Sequence, residues 1–398
     1  MDTSHGAPGA YLDNNATTAV ALGVLEAMLP WFRESPGNPS SLHGPGEAAH
    51  AAVAGARQKV ALLLGSVRAD ELTFTSGATE ATNTAVHAAL AAAPARRAVV
   101  TSAVEHPATL ESLEARGAAV TTVPVDAAGG LDVTAALFAI ESAGPTLALV
   151  TLLQVNNETG RIQDPHDLRR IADAAHAVGA RVHLDVVQAA GKLPLDVRAL
   201  GADMASLSAH KLHGPKGVGA LWVAREAFES FPSLISGGPQ ERGRRAGTEN
   251  VPGIVGFGHA AGLAQAFAAD PLAVGDLAAR RDRLEAALGA ELDDLRVASA
   301  ESPRVASTSC IEFHGIDGEA ALLMLSAYGI QVSTGSACGS SHHAPSHVLL
   351  AMGRDAAQAS SSLRFSLSRE TTDAEIDLAI TTIPGVIRTL RTLAGLPS

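Results

Sequence analysis

Arg181-Val182-His183-Leu184-Asp185-Val186-Val187-Gln188 is the stretch from which the fold reads outward: a mainly apolar, valine-rich run interrupted by a carboxylate. Such a run is the pattern of a strand covered on both faces, as in a sheet packed between helices. Strand-like runs at 98–104, 118–125 and 146–153 precede it, and a helical segment at 167–178 stands directly before it. Alternation of this kind predicts an α/β chain with a parallel or mixed sheet. Asp185 then falls at a strand's carboxyl end, the edge where doubly wound sheets bind ligands, and a buried carboxylate there requires a cationic partner. Taken alone, Asp185 reads more simply as a helix cap or a structural ion pair.

The next informative stretch is Ser206-Leu207-Ser208-Ala209-His210-Lys211-Leu212-His213-Gly214-Pro215-Lys216-Gly217-Val218, which sets Lys211 among small and hydroxyl residues. A lysine amine is no nucleophile while protonated, so an enzyme that needs one keeps it partly desolvated beside the aldehyde it binds. Lys211 reads as such a Schiff-base lysine, and Asp185 as the partner of a pyridinium nitrogen. Together they predict pyridoxal 5'-phosphate, whose ring acts as an electron sink when that nitrogen stays protonated. The phosphate needs donors, and Glu71-Leu72-Thr73-Phe74-Thr75-Ser76-Gly77-Ala78-Thr79-Glu80 supplies a strand, a small-residue turn and a helix start. Amides at that helix start, with the Thr79 hydroxyl, would cradle an anion.

With these segments in view, the chain resembles the cysteine desulfurases of the iron-sulfur type, within the class V aminotransferase-like, fold-type I pyridoxal phosphate enzymes. The resemblance spans nearly the whole chain. It runs through Tyr11-Leu12-Asp13-Asn14-Asn15-Ala16-Thr17-Thr18, Gly37-Asn38-Pro39-Ser40-Ser41-Leu42-His43, Glu105-His106-Pro107-Ala108, Val155-Asn156-Asn157-Glu158-Thr159-Gly160, Gly335-Ser336-Ala337-Cys338 and Leu363-Arg364-Phe365-Ser366. It implies a large domain with a mostly parallel seven-stranded sheet between helices and a smaller α+β domain. Residues 15–258 would form the large, cofactor-binding domain. Residues 1–14 and 259–398 would form the small domain that carries the catalytic cysteine loop.

Position by position, the resemblance implies that Lys211 holds the cofactor, Asp185 pairs with its ring nitrogen and Gln188 with its phenolic oxygen. His106 would stack on the ring and take part in proton transfers. Ala78, Thr79, Ser208 and His210 would hold the phosphate, joined by Thr248 of a neighbouring subunit, which implies a homodimer. Asn157 and Arg364 would fix the substrate, the planar guanidinium taking the amino acid's carboxylate at two points.

The chain has two cysteines, and one of them, Cys338, sits in a tract of small residues, 333–341. Small neighbours keep a thiol reachable and let a loop carry it. Cys338 is therefore the expected sulfur acceptor: Lys211 would move the α proton of bound L-cysteine, the Cys338 thiolate would take the sulfur as a persulfide, and alanine would leave. The persulfide would pass to an acceptor protein such as an iron-sulfur scaffold. Cys310, in Ser307-Thr308-Ser309-Cys310-Ile311-Glu312-Phe313, reads as a buried, inert thiol on a strand.

Two places depart from the family pattern. His342 and His343 follow Cys338, and read as solvated loop histidines. A histidine pair beside a thiolate could also lower its pKa or touch a transient iron or iron-sulfur cluster bound at Cys338. Arg245-Ala246 stands where the family pattern has Arg-Ser, a loss of one hydroxyl that should be tolerated.

The 29 basic and 41 acidic residues give a net charge of −12, which argues against nucleic acid and anionic membranes as partners. The sequence offers no signal peptide and no uninterrupted apolar stretch of spanning length, and a reactive thiol points to a reducing cytoplasm. Two other readings share the cofactor residues or need none of them. A selenocysteine lyase or class V transaminase would differ chiefly in what Cys338 does. A scaffold without chemistry is disfavoured because no cofactor position is lost.

Overall fold

The computed structural model of the protein describes residues 9–65, 67–334 and 344–396. Its strands, in chain order, are β1 (Ala10–Tyr11), β2 (Leu72–Thr75), β3 (Ala98–Ser102), β4 (Ala119–Val123), β5 (Leu147–Leu153), β6 (Arg181–Asp185), β7 (Met204–Ser208), β8 (Gly219–Val223), β9 (Leu295–Val297), β10 (Thr308–Phe313), β11 (Ile330–Gln331), β12 (Ser333–Thr334) and β13 (Ser362–Ser366).

Seven of these form one sheet in the order β2-β8-β7-β6-β5-β3-β4. Neighbours from β7 through β4 pair in parallel, and β8 runs antiparallel to both β7 and β2. The mostly parallel α/β sheet expected from the sequence is thus present. β5 is buried at every position, as is β7, because helices such as Ala78–Ala92 and Pro165–Ala177 pack on the sheet. That double cover explains why β5, with one threonine among apolar residues, reads as a nearly unbroken apolar run, while β7 buries two serines among its five residues. β4 lies at the sheet's edge and is exposed at four of its five positions, hence its threonines.

A second core gathers Leu12, Leu284, Leu288, Ile311, Phe313, Phe365, Ile376 and Ile387. It is built on the antiparallel sheet β12-β13-β10-β9, flanked by the helices Pro271–Glu291 and Asp373–Leu393. β1 pairs in parallel with β11, so the first strand of the chain joins this second core. The junction expected after residue 258 falls inside the helix Val251–Ala268, whose Ala260, Ala261 and Ala264 remain in the first core. Asp270 ends that helix and caps the next, its carboxylate accepting from the amides of Leu272 and Ala273.

Candidate active site

A cavity of about 570 Å³ opens at the carboxyl edge of the large sheet. Asn15, Thr17, Ala78, Thr79, His106, Asn157, Asp185, Gln188, Ser208, His210, Lys211 and Arg364 all line it, drawn from segments across the whole chain. Eleven of the cofactor and substrate positions expected from the sequence fall on described residues, and only Thr248 among them is absent from this lining. Thr248 is exposed and borders a separate groove beside Thr75, Ser76 and Arg245. Cys338 lies outside the described residues, as do His342 and His343.

The wall nearest β2 is built for an anion. After β2 the chain turns through Ser76 and Gly77 into the helix Ala78–Ala92, whose first turn has no side-chain cap. Its outward amides are therefore open to a ligand. Opposite stands the Ser208 hydroxyl, buried and without a hydrogen-bond partner among the described residues. Gly219 permits this close approach: a Cβ there would meet the Gly77 backbone at 2.6 Å. Burial and the nearby Lys211 and Lys216 pull the His210 imidazole down to about 4, so it stays neutral at physiological pH.

Asp185 ends β6 and accepts from the Val187 amide at 2.9 Å. Burial raises its pKa, against the opposing pull of that hydrogen bond and of His106 and Lys211. Among the described residues no cation pairs with it, so the carboxylate has capacity for a cationic ligand group. Behind it, His183 links Thr151, at 2.9 Å, to Ser206, at 2.7 Å, and burial drives its pKa to about 3. This neutral chain ties β5, β6 and β7 together beneath the cavity.

His106 caps the helix Pro107–Ala115, its Nδ1 accepting from the Ala108 amide at 3.0 Å. Burial lowers its pKa, so the ring is neutral with its proton on Nε2. Lys211 follows β7 in a tight turn, and its ammonium donates to the carbonyls of Asn15, at 2.5 Å, and Ala16, at 2.8 Å. Arg364, on β13, donates through Nη2 to Asp13 at 2.9 Å and through Nη1 to the Asn157 carbonyl at 3.3 Å, while its Nε has no partner among the described residues. A guanidinium held this way retains donors for a carboxylate.

Four residues with no role in the sequence reading belong to this site. Asn15 is its hub, taking hydrogen bonds from Lys192, Gln188 and Lys211 and donating to Asn157 and Thr308. Its place in the Tyr11-to-Thr18 motif was the available signal. Lys192 stands behind the cavity wall and donates to Asn15 and Gln188, which line it. Glu105, beside His106, is buried, and desolvation lifts its carboxyl to about 8. Glu158 is lifted to about 7 by burial and accepts from the Ser346 hydroxyl at 2.5 Å. Ser346 and His347, whose Nε2 meets the Glu105 carbonyl at 2.9 Å, fix the described chain just after residues 335–343. On the other side of that segment, Ser333 pairs with Arg364 across β12 and β13. Both borders of the Cys338 segment are thereby tied to residues that line or adjoin the cavity. Cys310, by contrast, is fully buried on β10, and desolvation pushes its thiol far up.

The class-V aminotransferase family pattern matches residues 10–378. A cysteine desulfurase of Cereibacter sphaeroides is 48% identical over 388 residues, covering 96% of this chain and 97% of that protein. The chain belongs to the cysteine desulfurases of the class-V aminotransferase family. Family structures agree with the fold. A solved NifS-like protein superposes with a TM-score of 0.85 at 35% identity, covering 96% of this chain and all of that one. A second, SspA in complex with cysteine, gives 0.77 at 33% identity, covering 91% of this chain and all of the other. The Arg245-Ala246 departure lies beside the cavity: Arg245 pairs with Glu80 at 3.0 Å, and Ala246 is buried.

Proposed function

We propose that the protein is a pyridoxal-phosphate-dependent desulfurase that converts L-cysteine to L-alanine and transfers the sulfur to Cys338 as a persulfide. The observation that carries this is the convergence, in one cavity, of the Ser208 hydroxyl and the Asp185 carboxylate, which among the described residues have no hydrogen-bond partner and no cation respectively, with an uncapped helix start and Lys211. These residues fit the cofactor: Ala78, Thr79, Ser208 and His210 would hold its phosphate, Asp185 its ring nitrogen, Gln188 its phenolic oxygen and Lys211 its aldehyde. When bound, pyridoxal phosphate supplies an electron sink for the substrate's α carbon.

The chain's own residues do the rest. Arg364 and Asn157 bind the amino acid's carboxylate and turn its α hydrogen toward Lys211, which carries that proton as a base. Neutral His106, with Nε2 protonated, donates from the cavity wall. Cys338 attacks the substrate sulfur as thiolate. The carbon-sulfur bond breaks with its electron pair on the carbon fragment, which takes up protons and leaves as alanine, while the sulfur stays on Cys338. The SspA complex, a relative that binds cysteine, supports the substrate.

We extend the reading to a homodimer in which the exposed Thr248 completes a neighbour's phosphate site. The helix Leu22–Arg33 supports this, since Leu22, Leu25, Leu29 and Phe32 are exposed on it, an apolar stripe that a second copy would cover. The persulfide goes to a protein acceptor such as an iron-sulfur scaffold, in a reducing cytoplasm. Among the described residues no helix is long and apolar enough to cross a membrane. The test is alanine and sulfide release from L-cysteine with a thiol reductant, by the loaded protein and Cys338→Ala. Equal amounts of both products from the wild type and neither from the variant support the reading. An unimpaired variant transfers the assignment to a selenocysteine lyase or transaminase.

A further inference from the structure

Lys192 does not line the cavity. It stands one layer behind, bordering a small void of about 30 Å³ together with Lys211, His213 and Arg369. A tight turn puts it there: the amides of Ala189 and Ala190 bond to the Val186 carbonyl, and those of Lys192 and Leu193 to the Ala189 carbonyl. Gly191, at φ +70°, lets the turn press on the helix Val251–Ala268, where a Cβ would meet that of Ala264 at 2.6 Å. The ammonium of Lys192 donates to Asn15 Oδ1 at 2.7 Å and to Gln188 Oε1 at 2.5 Å.

An ammonium can only donate, so each amide must present its oxygen to Lys192 and its nitrogen elsewhere. Gln188 Nε2 accordingly faces the other way, donating to the Asn15 carbonyl at 3.2 Å, and Asn15 Nδ2 reaches the Asn157 carbonyl and Thr308. Were the amine replaced by a neutral group, either amide could turn over. The Asn15 whose side chain meets Lys192 also receives the ammonium of Lys211 on its carbonyl, so two cations share one asparagine.

We propose that Lys192 is a positioning residue: it sets the orientation of the Gln188 amide as a donor toward the cavity and, while protonated, places a positive charge behind Lys211. The proposal rests on the cofactor reading given above. Burial first, and then the cationic Lys211 and Arg364 that face it across this cluster, pull the Lys192 amine down to about 7. His213, itself held down by burial, and Arg369 complete its charged surroundings. The cluster thus repels additional positive charge at Lys211, and a Gln188 donor favours an anionic phenolic oxygen in the cofactor; both effects ease loss of the proton from the Lys211 nitrogen.

The test is the pH midpoint of the visible absorption band of the cofactor-loaded protein, read for wild type, Lys192→Met, Lys192→Gln and Lys192→Arg. The neutral variants should raise the midpoint by about one unit or more, and Lys192→Arg should stay close to wild type. A merely space-filling lysine would change the melting temperature and leave the midpoint alone. Midpoints within about 0.2 of wild type in either folded neutral variant overturn the proposal, and Lys192→Gln serves if Lys192→Met does not fold. A wild type that takes up no cofactor overturns the functional reading first, an outcome distinct from a normal band that ignores the substitution.

Discussion

Replacing Glu105 by glutamine should make the cofactor-free protein far less sensitive to rising pH. Glu105 Oε1 accepts from the Ser102 hydroxyl at 2.6 Å and the Leu153 amide at 3.0 Å, and Oε2 has no partner among the described residues. Burial outweighs both hydrogen bonds, and Asp185 adds like-charge repulsion, so the carboxyl titrates near 8 instead of 4.5. Its folded pKa is raised. The stability this gives is therefore fully present below about 4.5 and is lost as pH climbs through about 8. At about 1.4 kcal/mol per pH unit, the loss between pH 5.5 and 8.5 comes to roughly 3 kcal/mol. Glutamine keeps an acceptor for Ser102 and Leu153 and never ionises. Urea unfolding of Glu105→Gln and wild type at both pH values measures the effect. The variant should gain about 3 kcal/mol relative to wild type at the higher pH. A relative gain below about 1 kcal/mol, or a loss, would show that Glu105 is ionised at neutrality and refute the reasoning.

Arg364→Lys should lower kcat/KM for L-cysteine by about 100-fold or more, chiefly through KM, because an ammonium cannot serve Asp13, the Asn157 carbonyl and a carboxylate together; steady-state kinetics check this. Ser346→Ala removes both the hydrogen bond to Glu158 and the cap on the Leu349 amide, and should cost about 1 to 2 kcal/mol by thermal or urea unfolding.

The sheet was legible because its central strands are buried on both faces, so β5 stands out as an almost continuous apolar run and β6 leads into the apolar Val186-Val187. The reversed direction of β8 was not, since Gly219-Ala220-Leu221-Trp222-Val223 would read the same in either sense. Lys211, Asp185 and the helix start at Ala78 were legible from chemistry carried by neighbours in sequence. Asn15 and Lys192 were not, because their significance arises from contacts such as Lys192 to Asn15, 177 positions apart, and Lys211 to Asn15, 196 apart. The raised carboxyl of Glu105 is likewise a product of burial, which the short motif around His106 does not encode. The junction between the two cores was blurred for a related reason: the helix Val251–Ala268 is apolar nearly all round, so nothing in its composition marks where one core yields to the next.

The stitching of the Asn14-Asn15 segment to β13 also has a bearing on synthesis. Asn14 Nδ2 bonds to the Ser366 carbonyl, the Asn15 amide to the Ser366 hydroxyl, and Asp13 to Arg364, at separations of 351 and 352 residues. As the chain leaves the ribosome, the large sheet has all its strands long before β13 emerges. The hub that holds Lys211 and Gln188 must wait for almost the last element. A nascent chain can thus possess Lys211, Asp185 and the helix start at Ala78 and still lack the guanidinium of Arg364 and the β13 anchor of Asn15, so the finished geometry forms only after β13 has emerged.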